Sequence, residues 1–455
     1  MSHFYDLRHG KHLGGRAVRS SALTVLGYGG SQALRLASNL ILTRLLFPEA
    51  FGLMSLVWMI LQGLANFSDT GVVQSILQSK RGDEKAFLDT AWTIQVLRGL
   101  SLWLLTWALA APAATFYDAP ELREMLPVVG FTLFITGLFP TKRDSANRKL
   151  ILGRLTAIDL CSQMVGLVAG ILVAWMTGSV WALVVGTIFS TTIQLILSSF
   201  ILPGELNSLR LEKSASWEMI HFGKWIFPST VAGFLISQGD KIILGKFLSL
   251  AALGVYNIGY FLASFPLLLG SMVVHRVMIP VYREKPPSET QGNATALSRM
   301  RIGISAGLFA LLFGFATLGV WLVSFLYDPR YESAGAIVVL LTIAQIPQLI
   351  ALTYDIAALA AGDSKGYFIT TTIRAILMMA GLMVGVSLNG LIGALIGQGL
   401  AMTFAYLAVV RLARAHRAWD PLHDMLFWTV GAIIAGTSIW LNWNAIIALS
   451  ALKLP

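Results

Sequence analysis

Ile41-Leu-Thr-Arg44-Leu-Leu-Phe-Pro48-Glu-Ala-Phe-Gly52-Leu53 returns 202 residues later as Ile243-Leu-Gly-Lys246-Phe-Leu-Ser-Leu250-Ala-Ala-Leu-Gly254-Val255. Each copy closes an apolar run on a basic residue, turns, and opens the next apolar run with a glycine. A weaker echo joins Gly178, Ala182 and Leu183 to Gly390, Ala394 and Leu395 at an offset of 212. Six apolar stretches separate one copy from the next. An even number of crossings returns the chain to its starting side, so both copies enter from the same face. The repeat is therefore parallel, with its axis along the membrane normal. Duplicated bundles of this kind place a substrate site at their mutual interface and rock one half against the other.

Working outward, apolar stretches of about 20 residues match the roughly 30 Å hydrocarbon core of a bilayer. The sequence predicts spans near 20–43, 51–76, 88–111, 126–140, 155–176, 180–202, 225–247, 253–279, 302–326, 335–360, 367–388 and 391–411, with a thirteenth from 424. A fourteenth is left open, because the tail is interrupted by Asn442-Trp-Asn444. Most of the 33 Lys and Arg fall on alternate connections: Arg8 to Arg19, Lys80 to Lys85, Lys142 to Arg154, Arg210 to Lys224, Arg276 to Arg301, Lys365, and Arg411 to Arg417. Arg44, Arg123, Lys246, Arg330 and Lys453 mark the other side. Such a bias places the first group, and the N-terminus, in the cytoplasm.

The expected fold is thus an all-α integral membrane protein, with two parallel-repeat six-helix bundles around a central cavity and one or two further C-terminal helices. Residues 1–19 form a basic cytoplasmic N-terminus and 20–202 the first lobe. Residues 203–224 link the lobes, 225–411 form the second lobe, and 424–455 carry the extra C-terminal segment or segments. Loop 280–301, with Pro286, Pro287 and many polar residues, suits a flexible connection.

Composition removes several functions. With 56% hydrophobic and 12% charged residues over 455 positions, no large soluble domain fits. The net charge of +10 is explained by loops facing anionic lipid rather than by nucleic acid. A single cysteine, Cys161, excludes an internal disulfide and a cysteine-rich metal site. Gly239-Asp-Lys-Ile-Ile-Leu-Gly245-Lys246 imitates a phosphate-binding loop, but its glycines are one residue too far apart and Phe247 stands where Ser or Thr would ligate Mg²⁺. Glycine pairs such as Gly166/Gly170, Gly381/Gly385 and Gly393/Gly397 read as close helix-packing surfaces. The short outward loops leave no room for catalytic machinery, so the chain is not read as an enzyme.

The pattern Thr43-Arg44-Leu-Leu-Phe-Pro48-Glu-Ala-Phe-Gly52, then Phe67-Ser-Asp69-Thr-Gly71 and Gln74, resembles the opening of bacterial polysaccharide flippases. Thr93 through Arg98-Gly99, Phe116-Tyr117, Pro120-Glu-Leu122, Gly239-Asp240-Lys241, Leu253-Gly254-Val-Tyr256 and Phe265-Pro266 continue the likeness. The chain is similar over about residues 15–420 to the Wzx-type polysaccharide transporters of the multidrug/oligosaccharidyl-lipid/polysaccharide superfamily. That resemblance implies two six-helix lobes, a V-shaped cavity and alternating access. It also implies a substrate of undecaprenyl-diphosphate-linked oligosaccharide, carried from the inner to the outer leaflet for surface polysaccharide assembly.

Four basic residues remain within the spans once those assigned to the connections are set aside: Arg35, Arg98, Lys241 and Arg374. A cation at a helix centre costs about 2.5–3.5 kcal/mol on insertion scales, so it faces a wet cavity or a partner. Arg35 shares a polar stripe with Gln32 and Asn39, and span 7 carries an equivalent stripe ending at Lys241. The functional reading is a cationic cavity that holds lipid diphosphate or an acidic sugar, with Gln32 and Asn39 beside the arginines. The plainer reading is local ion pairing or snorkelling. Asp240, Asp69 and Asp355 are candidates for H⁺ or Na⁺ coupling, and interfacial pairing is their plainer alternative. Asp159 is read in the same plain way.

The sequence therefore points to a multi-pass flippase of the bacterial inner membrane, without a cofactor apart from a coupling ion. Its partners would be the lipid-linked oligosaccharide, membrane lipid and the polysaccharide polymerase machinery, with no nucleic acid. The alternatives are an ion-coupled drug exporter of the same superfamily and a membrane polysaccharide polymerase or ligase.

Overall fold

The computed structural model describes residues 13–451 apart from Thr70, Lys285 and Ser288, and among the described residues there is no strand. The basic N-terminus up to residue 12 and Lys453 lie outside them. The helices of the first half are α1 (Leu13–Leu45), α2 (Pro48–Phe67), α3 (Val72–Gln78), α4 (Lys85–Phe116), α5 (Leu122–Gly137), α6 (Lys142–Arg148), α7 (Leu152–Thr177) and α8 (Trp181–Ile201). Those of the second half are α9 (Lys213–Phe247), α10 (Leu250–Ala263), α11 (Phe265–Glu284), α12 (Gln291–Leu326), α13 (Ala334–Ala344), α14 (Ile346–Ala360), α15 (Ser364–Ala415), α16 (Pro421–Leu441) and α17 (Trp443–Ala448).

Eight helices are individually long and apolar enough to cross a membrane, and two bent pairs complete further spans. The bent pairs are α5 with α6, at 59°, and Pro329–Ala344 with α14, at 43°. Helix α15 holds two of the predicted spans, parted by non-helical Asn389 and Gly390. Helices α1 and α9 are outside the eight; they bear the polar stripes of Arg35 and Lys241, which dilute their apolar character. The chain is an all-helical membrane protein.

Three predicted spans are broken rather than continuous. The one at 51–76 stops at Phe67 and resumes at Val72, and the one at 253–279 is interrupted at Ser264. The span at 335–360 bends where α13 meets α14, whereas that at 126–140 is helical to Gly137 and the chain bends only beyond it, into α6. The expected flexible loop 280–301 shrinks, because α11 runs to Glu284 and α12 starts at Gln291. After α16, the described residues hold only six-residue α17 and a short 3-10 turn, Leu449–Ala451. Six helical residues rise about 9 Å, far too little for a fourteenth span.

The chain divides into two compact units. One runs through Phe47 and from Val57 to Thr230; the other comprises Pro48–Leu56 and the chain from Val231 onward. Helices α1 and α9 end at Leu45 and Phe247, and α2 and α10 begin at Pro48 and Leu250. Both boundaries reproduce the 202-residue offset of the repeated sequence.

Inside the second unit the two copies of that sequence touch. A Cβ built on Gly52 would stand 1.9 Å from the Leu250 carbonyl oxygen, and one built on Gly254 would stand 1.9 Å from the Pro48 carbonyl oxygen. The two contacts exchange when the repeat is applied. Lipid offers no hydrophobic drive between helices, so close packing of small residues carries the association. Only glycine permits backbones this near. A second pair of equivalent devices closes the last hairpin of each repeat. Gly178 (φ 61) ends α7 before α8, and Gly390 (φ 54) turns the middle of α15. Gly166 packs on the Gly186 carbonyl and Ser190, and Gly381 and Gly385 pack on Gly397 and Gly393. The glycine pairs are helix-packing surfaces, as the sequence predicted.

The thirteenth span belongs to the core of the second unit. Phe427 and Ile434 of α16 are buried with Phe309 and Leu312 of α12, Ile350 and Tyr354 of α14, and Tyr406 and Val409 of α15. Asp420 caps α16 by accepting from the His423 backbone N–H, with Pro421 in the first turn. Asp424 accepts from Tyr354 at 2.6 Å, Tyr406 at 2.5 Å and the Trp419 indole at 2.8 Å. Arg301, assigned above to a cytoplasmic loop, is instead 3% exposed and lies over the Tyr354 ring at 4.4 Å. Its guanidinium donates to Tyr282 at 2.7 Å and stands 3.6 Å from Asp420.

Replacing either Gly52 or Gly254 by valine is expected to destabilise the protein by on the order of 3 kcal/mol, through overpacking. Because both substitutions wedge open one contact, the double variant should cost clearly less than the sum of the singles. Thermal unfolding of the purified variants measures this, and strict additivity would contradict a shared crossing.

Candidate functional site

The first unit builds its site on the break in α2. The last carbonyls of a helix lack intrahelical donors, and at membrane depth water is not there to replace them. Arg98 of α4 supplies the donors. Its Nη2 reaches the Ala65 carbonyl at 2.5 Å, and its Nε reaches Ser68 Oγ at 2.9 Å. Asp69 accepts from the Gly71 N–H at 2.9 Å, an Asx-type turn. Gly71 itself adopts φ 66, which starts α3. Ser68, Asp69 and Gly71 therefore mark a helix break, and Arg98 is its clasp. Gly99 lets α5 approach so closely that a Cβ would sit 2.8 Å from the Leu133 carbonyl oxygen.

Beside Arg98 lies a pocket of about 220 Å³, whose lining includes Gln95, Thr136, Arg143 and Asp144. Two guanidiniums face one carboxylate there, so the pocket is cationic. Arg143 belongs to α6, at the bend after α5. It donates to Asp159 at 2.9 Å and to Ser198 at 2.9 Å, and Gln194 also donates to Asp159 at 2.7 Å. These bonds fix the Arg143 side chain. Sequence reading missed it, because a basic residue at a span end was counted only as a topology signal. Asp159, 16 residues later in α7, was the available clue.

The connection 203–212 is strapped across this end of the first unit. Ser208 bonds Asp89 through both its N–H, at 3.1 Å, and its hydroxyl, at 2.8 Å. The Arg210 and Glu212 amides donate to Thr93 and Thr90. Glu212 takes hydrogen bonds from Ser214 and Arg81, which hold its carboxyl below the usual range. The polar positions Asp89, Thr90 and Thr93 at the start of α4 thus serve as the strap's receptor.

The remaining predicted residues are distributed over both units. In the first, Arg35 is exposed on α1, with Gln32 and Asn39 half-buried beside it. Gln32 donates to Tyr28 at 3.0 Å, and the Asn39 carbonyl accepts from Thr43 at 2.7 Å. In the second, Asp240 is 1% exposed; one oxygen accepts from Tyr256 at 2.5 Å, and the other has no hydrogen-bond partner among the described residues. Lys241 points elsewhere, donating to Gln238 at 2.9 Å and lying over the Tyr260 ring at 4.4 Å. Arg374 of α15 pairs with Asp355 of α14 at 2.7 Å, which is the plainer of the two readings for both. The pair has a counterpart in the first unit: Asp355 stands 212 residues after Arg143, and Arg143 holds Asp159 of the following helix. The clasp between fourth and fifth spans is kept, with its charges exchanged.

Helices that break at polar turns, with a half-buried arginine at mid-span, define a multi-pass helical membrane protein. The model of a family described as "Polysaccharide biosynthesis protein" matches residues 41–336, and the chain belongs to that family. It is similar to the succinoglycan biosynthesis transport protein ExoT of Rhizobium meliloti, 22% identical over 271 residues. That stretch covers 58% of the present chain and 53% of ExoT, so the match spans about half of that relative's length. It is similar also to the lipopolysaccharide biosynthesis protein WzxC of Escherichia coli, 17% identical over 369 residues, covering 80% of this chain and 74% of the other. Among solved structures, the lipid II flippase MurJ in an inward closed conformation superimposes with a TM-score of 0.67 at 12% identity, over 96% and 98% of the two chains. At that identity the likeness shows the fold alone.

Arg143→Asp or Asp159→Arg alone should each lower the midpoint of thermal unfolding by several degrees, on the order of 2 kcal/mol for a half-buried charge-assisted pair. The exchanged double variant, which imitates the polarity of Asp355 and Arg374, should recover at least half of the loss. A double variant as unstable as the worse single would show that the pair is not an independent clasp.

Proposed function

We propose that the chain is a flippase of the bacterial inner membrane, with its N-terminus in the cytoplasm. It moves undecaprenyl-diphosphate-linked oligosaccharide from the inner to the outer leaflet by alternating access, and it acts as a transporter rather than an enzyme. The observation that carries this is the cationic pocket of the first unit. Arg98 and Arg143 line it together, on the polar side of a broken span, where an anionic head group needs donors and a lipid tail does not. A guanidinium presents a planar fork that suits phosphate oxygens. Membership of the polysaccharide biosynthesis family and the names of ExoT, WzxC and MurJ support the same reading.

Arg35, with Gln32 and Asn39, extends the polar lining along α1 in this scheme, and Lys241 and Arg374 serve the second unit. Asp240 is the coupling-ion residue in preference to Asp69 and Asp355. Its carboxylate is almost wholly buried and keeps one oxygen unbonded, whereas Asp69 closes a turn and Asp355 holds Arg374. The lipid-linked product would pass to the polymerase machinery at the outer face.

Arg98→Ala should lower surface polysaccharide roughly tenfold or more, the effect of losing a charge-assisted interaction of about 1.5–3 kcal/mol. Arg35→Ala should act in the same direction. Polymer is quantified on cells whose membranes hold wild-type amounts of each variant. Undiminished polymer in both variants would remove the cationic-pocket argument.

A further inference from the structure

A second cavity in the first unit, of about 290 Å³, shares Arg143 and Asp144 with the Arg98 pocket. Its other walls are Asn147 of α6, Asp159, Thr156, Leu155 and Leu152 of α7. One side is rigid, because Asp159 is held at once by Arg143 and Gln194, and Arg143 by Ser198. The other side is chemically open. Asp144 and Thr156 are half-buried and Asn147 is exposed, and their side chains make no hydrogen bond among the described residues, which leaves their polar atoms available to a ligand. Asp144 and Asn147 stand three residues apart on α6 and so share a face.

The charges discriminate between ligands. The Arg98 pocket has two guanidiniums and one carboxylate. This cavity has one guanidinium and two carboxylates, which repels phosphate. What remains is a set of planar carboxylate and amide groups with one hydroxyl, able to accept from and donate to a polyol, above the apolar floor of Leu152 and Leu155. The volume lies just below the usual range of ligand pockets, roughly 300 to 1,000 Å³, and suits a single sugar residue better than a prenyl tail.

We propose that this cavity is the saccharide subsite of the transporter. Asp144, Asn147 and Thr156 hydrogen-bond hydroxyl groups of the head-group sugar, while the diphosphate occupies the adjoining Arg98 pocket. Arg143, common to both, sets the register between them. The assignment rests on the flippase reading above and adds which residues select the sugar.

The test compares two kinds of probe on the full chain in lipid nanodiscs. One is undecaprenyl diphosphate alone. The other is undecaprenyl diphosphate carrying a single glucose, galactose or N-acetylglucosamine. Wild-type protein should bind at least one glycosylated probe about fivefold or more tightly than the bare diphosphate, the worth of a net hydrogen bond or two. Asn147→Ala with Thr156→Val should abolish that increment while leaving affinity for the bare diphosphate within about twofold. Arg98→Ala should weaken every probe. A sugar increment that survives in the double variant would overturn the subsite, as would equal weakening of bare and glycosylated probes, or a wild type that gains nothing from any sugar. A wild type that binds no probe at all would overturn the flippase reading itself, a result distinct from loss of the increment. Unfolding midpoints of the Asn147→Ala/Thr156→Val variant at the wild-type value establish that it is folded, and Arg98→Ala, which also loses the clasp on α2, is compared at equal folded amounts.

Discussion

A helix broken inside hydrocarbon leaves carbonyl groups that water cannot reach, and the site of the first unit grows from that constraint. The break after Phe67 is closed by Arg98, which bonds the Ala65 carbonyl and Ser68. Placing a guanidinium at mid-span costs about 2.5–3.5 kcal/mol on insertion scales. Two hydrogen bonds from a charged donor, at about 1.5–3 kcal/mol each, offset that cost, so the fold can hold a cation where lipid alone would expel it. Structure and function then fall on one residue. The group that satisfies the backbone also makes its pocket positive.

The two sequence repeats solve the same problems with equivalent parts. Gly52 and Gly254 meet the carbonyls of Leu250 and Pro48 in a reciprocal crossing. Gly178 and Gly390 turn the last hairpin of each repeat in the left-handed region. Arg143 with Asp159, and Asp355 with Arg374, join fourth span to fifth. Only the last device differs between the repeats, and it differs in sign. Backbone geometry tolerates no substitute for glycine, whereas an ion pair works equally well in either polarity, so the charges are where duplicated halves can acquire different chemistry.

The spans and the repeat were legible because they rest on periodicities that any lipid-exposed helix must obey. Helix breaks were not. Phe67-Ser-Asp69-Thr-Gly71 stood out as a motif, yet hydropathy averages across it and read one span from 51 to 76. The ionic residues divide along similar lines. Arg98 was visible because it sits far from any loop. Arg143 and Arg301 were not, since counting cations at span ends treats each as solvated. Arg143 finds Asp159 and Arg301 finds Tyr282 only through folding. The docking of α16 through Asp424 was hidden for the same reason, its donors Tyr354 and Tyr406 lying far away in sequence.

The account turns on an anionic sugar-lipid head group crossing the bilayer through this protein. Proteoliposomes containing the purified chain, loaded with a fluorescent undecaprenyl-diphosphate-linked sugar and probed with a membrane-impermeant quencher or a sugar-specific lectin, measure that crossing directly. Head groups should exchange between leaflets many times faster than in protein-free vesicles, and the Arg98→Ala protein should remove most of the acceleration. Exchange no faster than in empty liposomes, in vesicles shown to hold folded protein, would contradict it.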